Sequence, residues 1–341
     1  MKKLKVTILA DKAFSPENPL HQKIEENWDE IEHHLHDALE VKGHSVEILG
    51  IHQNIRTLYD GLINLKSDIV FNVCESFKNE SQLEMHIAST LELFGFKYTG
   101  CGPQGLLLGQ NKGLTKQILA YHGIKFPNFF VYPVGVVNNR PSDLRFPLIV
   151  KPLKEDASIG ISNSSIVKND ETLQERIHFV HEKLSQEALV EEYIEGREFY
   201  VGILGNEKLE VLPLLELDFS NMPEHKPKIY SYKAKWDNKY RDENGIRSIF
   251  PKDLPEEVIH KIHEACKTAY RSLGLRDYGR IDIRLTHDYE VYVLEANPNP
   301  YIAKEEDLPL AAEKAGISYN DFIEKILQFA WQRTGNGHHY L

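Results

Sequence analysis

Strand-like and helix-like hydrophobic periods alternate along the N-terminal part of the chain. Val6–Ala10 is a short continuous apolar run, the pattern of a buried strand. From about Leu20 to Val41, Ile24, Trp28, Ile31, Leu35 and Leu39 recur at spacings of three or four, which predicts a helix with one apolar face. Gly43 stands where that helix would end. Ser45–Leu49 reads as a second strand, Asn54–Leu65 as a second helix and Asp68–Val73 as a third strand. This βαβαβ order predicts a small parallel sheet with helices on its faces. Ligands of such sheets bind beyond the carboxyl ends of the strands. Asn72 and Glu75 stand at one such end, and Glu80–Glu84 opens the next helix. For Glu75 and Glu80, a substrate role and a solvated loop acid are equally good readings.

A helix through Leu83–Phe94 leads to a short strand and turn at Lys97–Gly100, and a second unit begins near Cys101. Its helix, Gly105–His122, carries Lys112 and Lys116 on one face. Phe129–Tyr132 and Phe146–Pro152 read as strands, the second containing Lys151 beside Pro152. The loop Lys154–Ser162 is rich in small residues, which let backbone N–H groups approach an anion; a plain hairpin is the blander reading. Glu171–Leu184 is a predicted helix; Ala188–Ile194 and Phe199–Leu204 are strands, and Leu209–Leu217 is apolar and extended. Residues 218–250 form a long polar segment with few apolar anchors. It holds Tyr232, Lys233, Lys235 and Trp236, as a lid over substrate would. Helices are predicted at Glu256–Leu273 and Tyr319–Trp331, before a polar tail. The fold class is α/β, with an α+β C-terminal part.

Asp277–Pro300 reads as a hairpin. With side chains alternating by period two, Arg280, Asp282 and Arg284 share one face and Ile281, Ile283 and Leu285 the other. On the second strand Val291, Val293, Glu295 and Asn297 would share a face. A two-residue turn at Asp288-Tyr289 would pair Asp282 with Glu295 and Arg280 with Asn297. Facing acids repel, so a positive group belongs between them. Two carboxylates and an amide oxygen suit a hard cation that also holds phosphates. The bland alternative is an exposed hairpin whose acids face water.

Length and charge narrow the classes. At 341 residues the chain exceeds one typical core, so two or three domains are expected. Net charge is −11 with no basic tract, which argues against a nucleic-acid partner. Cys74, Cys101 and Cys266 are odd in number and far apart, as in a reducing compartment, and give no zinc signal. His33, His34 and His36 lie on a predicted helix surface and give no metal-site signal. MKKLKVTILA reads as a first strand rather than a signal peptide, and no window suits a membrane span. A cytoplasmic protein is expected. Lysines at 112, 151 and 235, a small-residue loop, paired acids and Arg280 form a set that suits phosphoryl chemistry, where positioning and charge neutralisation dominate. Neither GxxxxGK[ST] nor the kinase HRD and DFG motifs occur.

The order of motifs resembles the ATP-grasp superfamily, and within it the D-alanine–D-alanine ligases, from about Asp68 to Phe329. The matches are LELFGFKYTG, GQNKGLTKQILAYHGIKFP, FPLIVKP, VEEYIEGREF, GRIDIRL and LEANPNP. The resemblance implies an ATP-grasp fold behind a Rossmann-like parallel-sheet domain at 1–100. Its central subdomain would span 101–187, its metal-bearing C-terminal subdomain 188–331, and a tail 332–341. It implies that Lys112 and Lys151 hold the α- and β-phosphates of ATP and that Ser158, with the Ile159-Gly160 backbone, covers the terminal ones. Glu191, Tyr193 and Ile194 would meet adenine, Glu198 the ribose, and Lys235 the γ-phosphate. Asp282, Glu295 and Asn297 would hold two magnesium ions, with manganese as a substitute, while Arg280 steadies the phosphoryl intermediate. Arg280, Lys235 and Ser158 form the implied catalytic set. The implied reaction joins a small carboxylate to an amine through an acyl phosphate. A homodimer is left open.

Several positions depart from the family pattern. ILADKAFSPENP replaces its N-terminal glycine-rich stretch and substrate glutamate. Asp156-Ala157-Ser158 lacks the first of its paired serines, Trp236 stands where a tyrosine follows the lid lysine, and PNPYIAKEEDLP replaces its acceptor segment. A substrate pair other than two D-alanines is therefore expected. Lys304, Glu305, Glu306 and Asp307 put charge near the acceptor, suiting a cationic or bulkier amine, or else form a solvated loop. The rival readings are an ATP-grasp phosphotransferase and a nucleotide-binding regulator without turnover.

Overall fold

Strand β1 (Lys5–Ala10) lies between β2 (Ser45–Gly50) and β3 (Ile69–Asn72), parallel to both. The structure is a computed structural model that describes residues 2–11, 30–136, 139–155, 158–224 and 226–333. The apolar stripe of the first helix holds where described: α1 (Glu30–Val41) buries Ile31, Leu35 and Leu39. Ile24, Trp28 and most of ILADKAFSPENP lie outside the described residues. Asn54 caps α2 (Ile55–Leu65), its side chain accepting from Arg56 N. A 3₁₀ turn at Ser81–Leu83 precedes α3 (Glu84–Leu93). The short strand expected at Lys97–Gly100 is reduced to one bridge between Tyr98 and Val70.

The single helix expected over Gly105–His122 is two, α4 (Pro103–Gln110) and α5 (Lys112–Tyr121). Asn111 leaves the helical region at φ −97°, ψ 91°, and its Oδ1 accepts from Leu114 N at 3.1 Å. An asparagine that satisfies an orphan N–H at a helix start is a good cap and a poor interior residue. Strands β4 (Phe129–Tyr132), β5 (Leu148–Pro152), β6 (Ile166–Val167) and β7 (Ala188–Glu192) form an antiparallel sheet in the order β4-β7-β5-β6. Helix α6 (Asp170–Leu184) lays Leu173, Ile177 and Val180 on Val150 and Val190.

The rest of the chain builds a second antiparallel sheet. Its strands are β8 (Arg197–Leu204), β9 (Glu210–Val211), β10 (Leu215–Asp218), β11 (Arg247–Ile249), β12 (Tyr278–Leu285) and β13 (Val291–Asn297). The order is β11-β10-β8-β12-β13, with β9 on β8. The segment 218–250 is better anchored than expected. It forms α7 (Tyr232–Trp236), α8 (Asn238–Asn244) and β11, and buries Phe219, Met222, Ala234 and Ile246 against Tyr200, Leu215 and Leu217. Helix α9 (Glu256–Ser272) places Ile262, Cys266 and Ala269 in one core with Ile281, Ile283, Val291 and Val293. Residues 304–307 do not all belong to a loop, because Asp307 opens α10 (Asp307–Lys314), whose Leu308, Ala311 and Ala312 are buried. Pro309 is tolerated there because a helix's first turn needs no N–H donor. Helix α11 (Tyr319–Gln332) shares a core with α1 through Phe322, Ile323 and Ile326. All three cysteines are free and buried. Among the described residues, no helix is long and apolar enough to cross a membrane.

Candidate active site

The β12–β13 hairpin pairs Asp282 with Glu295 and Arg280 with Asn297, as its sequence predicts. Two departures from the simplest hairpin cancel to give this result. The turn holds three residues, His287–Tyr289, closed by Thr286 N donating to Glu290 O, with Tyr289 at φ 60°. The ladder then slips by one between Asp282 and Ile283, so Leu294 is an extra residue on β13. The bulge changes the predicted faces. Val291 and Val293 lie in the core with Ala296, while Leu294 and Glu295 both line the cleft. The Leu294 carbonyl accepts from Lys116 Nζ at 3.2 Å.

A cleft of about 640 Å³ lies between the two antiparallel sheets. Ile149, Ile194, Ile229 and Leu294 give it apolar walls, Tyr193, Tyr200 and Tyr230 add aromatic ones, and β5, β7, β8, β12 and β13 contribute charged groups. Because Asn111 caps α5, Lys112 sits at its first position; Nζ donates to Glu155 O at 2.5 Å and lies 3.8 Å from Glu295 Oε2. One turn further, Lys116 is fully buried, with Nζ 2.7 Å from Glu191 Oε1, and Lys151 Nζ is 2.9 Å from Glu191 Oε2. Glu191, expected to meet adenine, thus has its carboxylate taken by two lysines. Burial opposes its ionisation, but Lys116 and Lys151 outweigh burial and hold it at about 2. Lys116 is lowered by burial against the pull of Glu191. No sequence signal pointed to Lys116 as a site residue beyond its place one turn after Lys112.

The facing acids have opposite environments. Arg280 Nε and Nη2 donate to the two Asp282 oxygens at 2.7 and 3.0 Å, and Asn297 Nδ2 donates to Asp282 Oδ2 at 3.1 Å. Burial still pushes Asp282 up to about 7, against Arg280 and with help from Glu295 and Glu198. Burial also opposes ionisation of Glu295, yet Lys112, Lys151, Arg280 and Lys235 together hold it below the usual carboxylate range. Arg280 thus pairs with Asp282, while Lys112 is the cation nearest the Glu295 carboxylate.

Glu198, expected at the ribose, accepts from Arg284 Nη2 at 2.6 Å. Arg284 also donates to the carbonyls of Gly196 and Lys228. Its only sequence signal was its place on the face of Arg280 and Asp282. Tyr193 N donates to Pro147 O at 2.9 Å, and its hydroxyl donates to Lys228 O at 3.1 Å. Ser158, at φ 60°, donates through Oγ to Tyr230 O at 2.8 Å, while Tyr232 N donates to Ile161 O at 3.0 Å. The small-residue loop and the segment carrying Lys235 are thereby tied together; Asp156 and Ala157 lie outside the described residues. Lys235 is half-buried on α7, and Trp236 beside it is exposed. Glu75 lines a separate smaller cleft with Tyr301 and Ile302, whereas Glu80 is exposed.

Among the described residues, no three His, Cys, Asp or Glu side chains group as a complete metal cage. Asp282, Glu295 and Asn297 nonetheless supply two apposed carboxylates and an amide. That donor set fits a hard divalent cation whose shell is completed by phosphate oxygens and water.

Two antiparallel sheets closing on a cleft of lysines and paired acids, behind a parallel sheet, define an ATP-grasp protein. Residues 110–328 match the family described as D-ala D-ala ligase C-terminus, and the chain belongs to the D-alanine–D-alanine ligase family. It is 34% identical over 272 residues to the uncharacterised protein y4sG of Sinorhizobium fredii, covering 80% of this chain and 77% of that one. It is 30% identical over 251 residues to the D-alanine–D-alanine ligase of Desulforudis audaxviator, covering 72% and 77% respectively. The crystal structure of D-alanine–D-alanine ligase from Bacillus anthracis complexed with ATP matches 96% of this chain and 97% of that one, at a TM-score of 0.72 and 20% identity. That likeness extends the shared fold through the N-terminal sheet.

Proposed function

We propose that the protein is an ATP-dependent carboxylate–amine ligase that works through an acyl phosphate, on a substrate pair other than two D-alanines. The observation that carries this reading is the convergence of Lys112, Lys151 and Arg280 on the facing pair Asp282 and Glu295. In this reading Lys112 and Lys151 hold the α- and β-phosphates, while Ile149, Ile194 and Leu294 sandwich the base. Glu198, steadied by Arg284, meets the ribose. Ser158 and the backbone after it cover the terminal phosphates, and Lys235 reaches the γ-phosphate. Asp282, Glu295 and Asn297 would hold magnesium, which supplies neutralisation of phosphate charge.

The substrate carboxylate attacks the γ-phosphorus and ADP leaves. Lys235 and Arg280 offset the charge that develops on the transferred group, which is how such sites lower the barrier. An amine then displaces phosphate and an amide forms. Trp236 in place of tyrosine and the altered segment from Pro298 to Pro309 support a different substrate pair. The test is ADP and phosphate release over pooled D- and L-amino acids, small carboxylates and amines. Tight ATP binding without ADP in any pool removes the ligase reading.

A further inference from the structure

Arg176, in the middle of α6, is only 8% exposed, with the Phe179 ring 4.2 Å from its guanidinium. A guanidinium taken out of water is ordinarily paired with a carboxylate. Among the described residues none pairs with this one, burial alone shifts its pKa downward, and Nε is buried without a hydrogen-bond partner. What Nη2 meets instead is the loop between β5 and β6. It donates to Gly160 O and, at 3.0 Å, to the buried Ser165 Oγ. Ser165 Oγ also accepts from Ser162 N at 3.0 Å, which fixes the end of the loop. Gly160, at φ 72°, lies so close to Leu184 of α6 that a Cβ there would fall 2.6 Å from Leu184 Cδ1. Charge and close approach thus hold the loop to one helix. That helix covers Val150 and Val190, whereas Ile149, Lys151 and Glu191 on the same strands face the cleft. Arg176 reaches the loop from behind.

From Gly160 the contacts continue as a chain. Its carbonyl belongs to the peptide unit whose N–H, on Ile161, donates to Ser158 O at 3.0 Å. The Ser158 carbonyl belongs in turn to the peptide unit whose N–H is on Ile159. That N–H, like the N–H of Gly160, donates to no group among the described residues. Hydrogen bonds in series polarise one another, and a full charge at one end strengthens the effect. We propose that Arg176 is a positioning residue for the terminal phosphates of ATP. It holds Ser158–Gly160 in the shape that covers them and, through two peptide units, strengthens the Ile159 N–H as a donor to them. The inference rests on the nucleotide placement in the ligase reading.

Calorimetry on the full chain, with magnesium, compares a non-hydrolysable ATP analogue with AMP. Wild type should bind the analogue the more tightly. Arg176→Met removes the charge and its donors at similar length, and Arg176→Gln keeps a donor without the charge. Both should weaken the analogue about tenfold, the scale of one hydrogen bond to a charged group, and leave AMP affinity unchanged. Arg176→Lys should recover part of the loss. A role confined to packing α6 would move both nucleotides together or neither. The methionine variant leaves no buried charge without a partner, which favours its folding. In wild type, the Ile159 amide proton should move downfield in the NMR spectrum with the analogue and stay in place with AMP; if no variant folds, this shift decides alone. Analogue affinity unchanged in the folded variants, an equal loss for AMP, or an Ile159 proton indifferent to the analogue overturns the inference and leaves the ligase reading standing. Equal binding of analogue and AMP by wild type removes both the inference and the phosphate placement beneath it.

Discussion

Lys116 Nζ lies 2.7 Å from Glu191 Oε1, and both side chains are closed off from solvent. The second oxygen of that carboxylate holds Lys151, so one buried acid positions two cations. Removing one member of a buried ion pair strands the other charge, at a cost of about 3 kcal/mol. Glu191→Gln should lower urea-unfolding stability by that order and weaken ATP binding. Adding Lys116→Met should restore stability in part. Equal stability of wild type and Glu191→Gln would count against the pair as a structural element.

The same pair gives the acid limb of the stability curve a definite sign. The folded pKa of Glu191, about 2, is below its ordinary value near ~4.3. Its stabilisation is therefore complete above the ordinary value and is lost as pH falls toward 2. Wild type should lose more stability between pH 5 and pH 2 than Glu191→Gln, by denaturant titration at each pH.

Glu295→Gln keeps the shape of the hairpin and removes one of its two apposed charges. Turnover should fall at least ~100-fold, as removal of one electrostatic contact at a reaction centre does, while far-ultraviolet circular dichroism stays the same. Chelation of divalent ions should silence the wild type, with magnesium or manganese restoring it. Full activity in chelator contradicts the cation assignment.

Arg284 reaches Glu198 and two carbonyls with one planar fork. A lysine has neither the plane nor the number of donors. Arg284→Lys should raise KM for ATP about tenfold, the scale of one lost charge-assisted hydrogen bond, with a smaller change in kcat. A change confined to kcat would place Glu198 away from the nucleotide.

Asn111→Ala removes the cap that starts α5 at Lys112. It should cost about 1 kcal/mol in thermal unfolding, whereas Asn111→Gly should cost only a few tenths. The alanine variant should also bind ATP less tightly, measured by calorimetry.

How much of this was legible in the sequence depended on the range of each signal. Ile281, Ile283 and Leu285 alternate cleanly, so β12 could be read directly, whereas its pairing of Asp282 with Glu295 came out as predicted only because a longer turn and a bulge offset each other. The bulge could not be read, because nothing local distinguishes Leu294 from an ordinary strand residue. The Gln110-Asn111-Lys112 run carries no glycine or proline break, so the split between α4 and α5 was hidden. The anchors of 218–250 follow no single period and become a core only when Tyr200 and Leu215 are brought beneath them. Lys112 and Lys116 showed their helical spacing, but that Glu191 binds the second is a fact of tertiary structure.

The bulge sets a fixed scale inside the cleft. In a regular strand, neighbouring side chains point to opposite sides, yet Leu294 and Glu295 both face the site. An apolar contact surface and an ionic one are thereby joined through a single peptide unit, whose Cα atoms are ~3.8 Å apart. However the segment above the cleft moves, the separation between the part that favours a flat ring and the part that favours charge is held by a covalent bond.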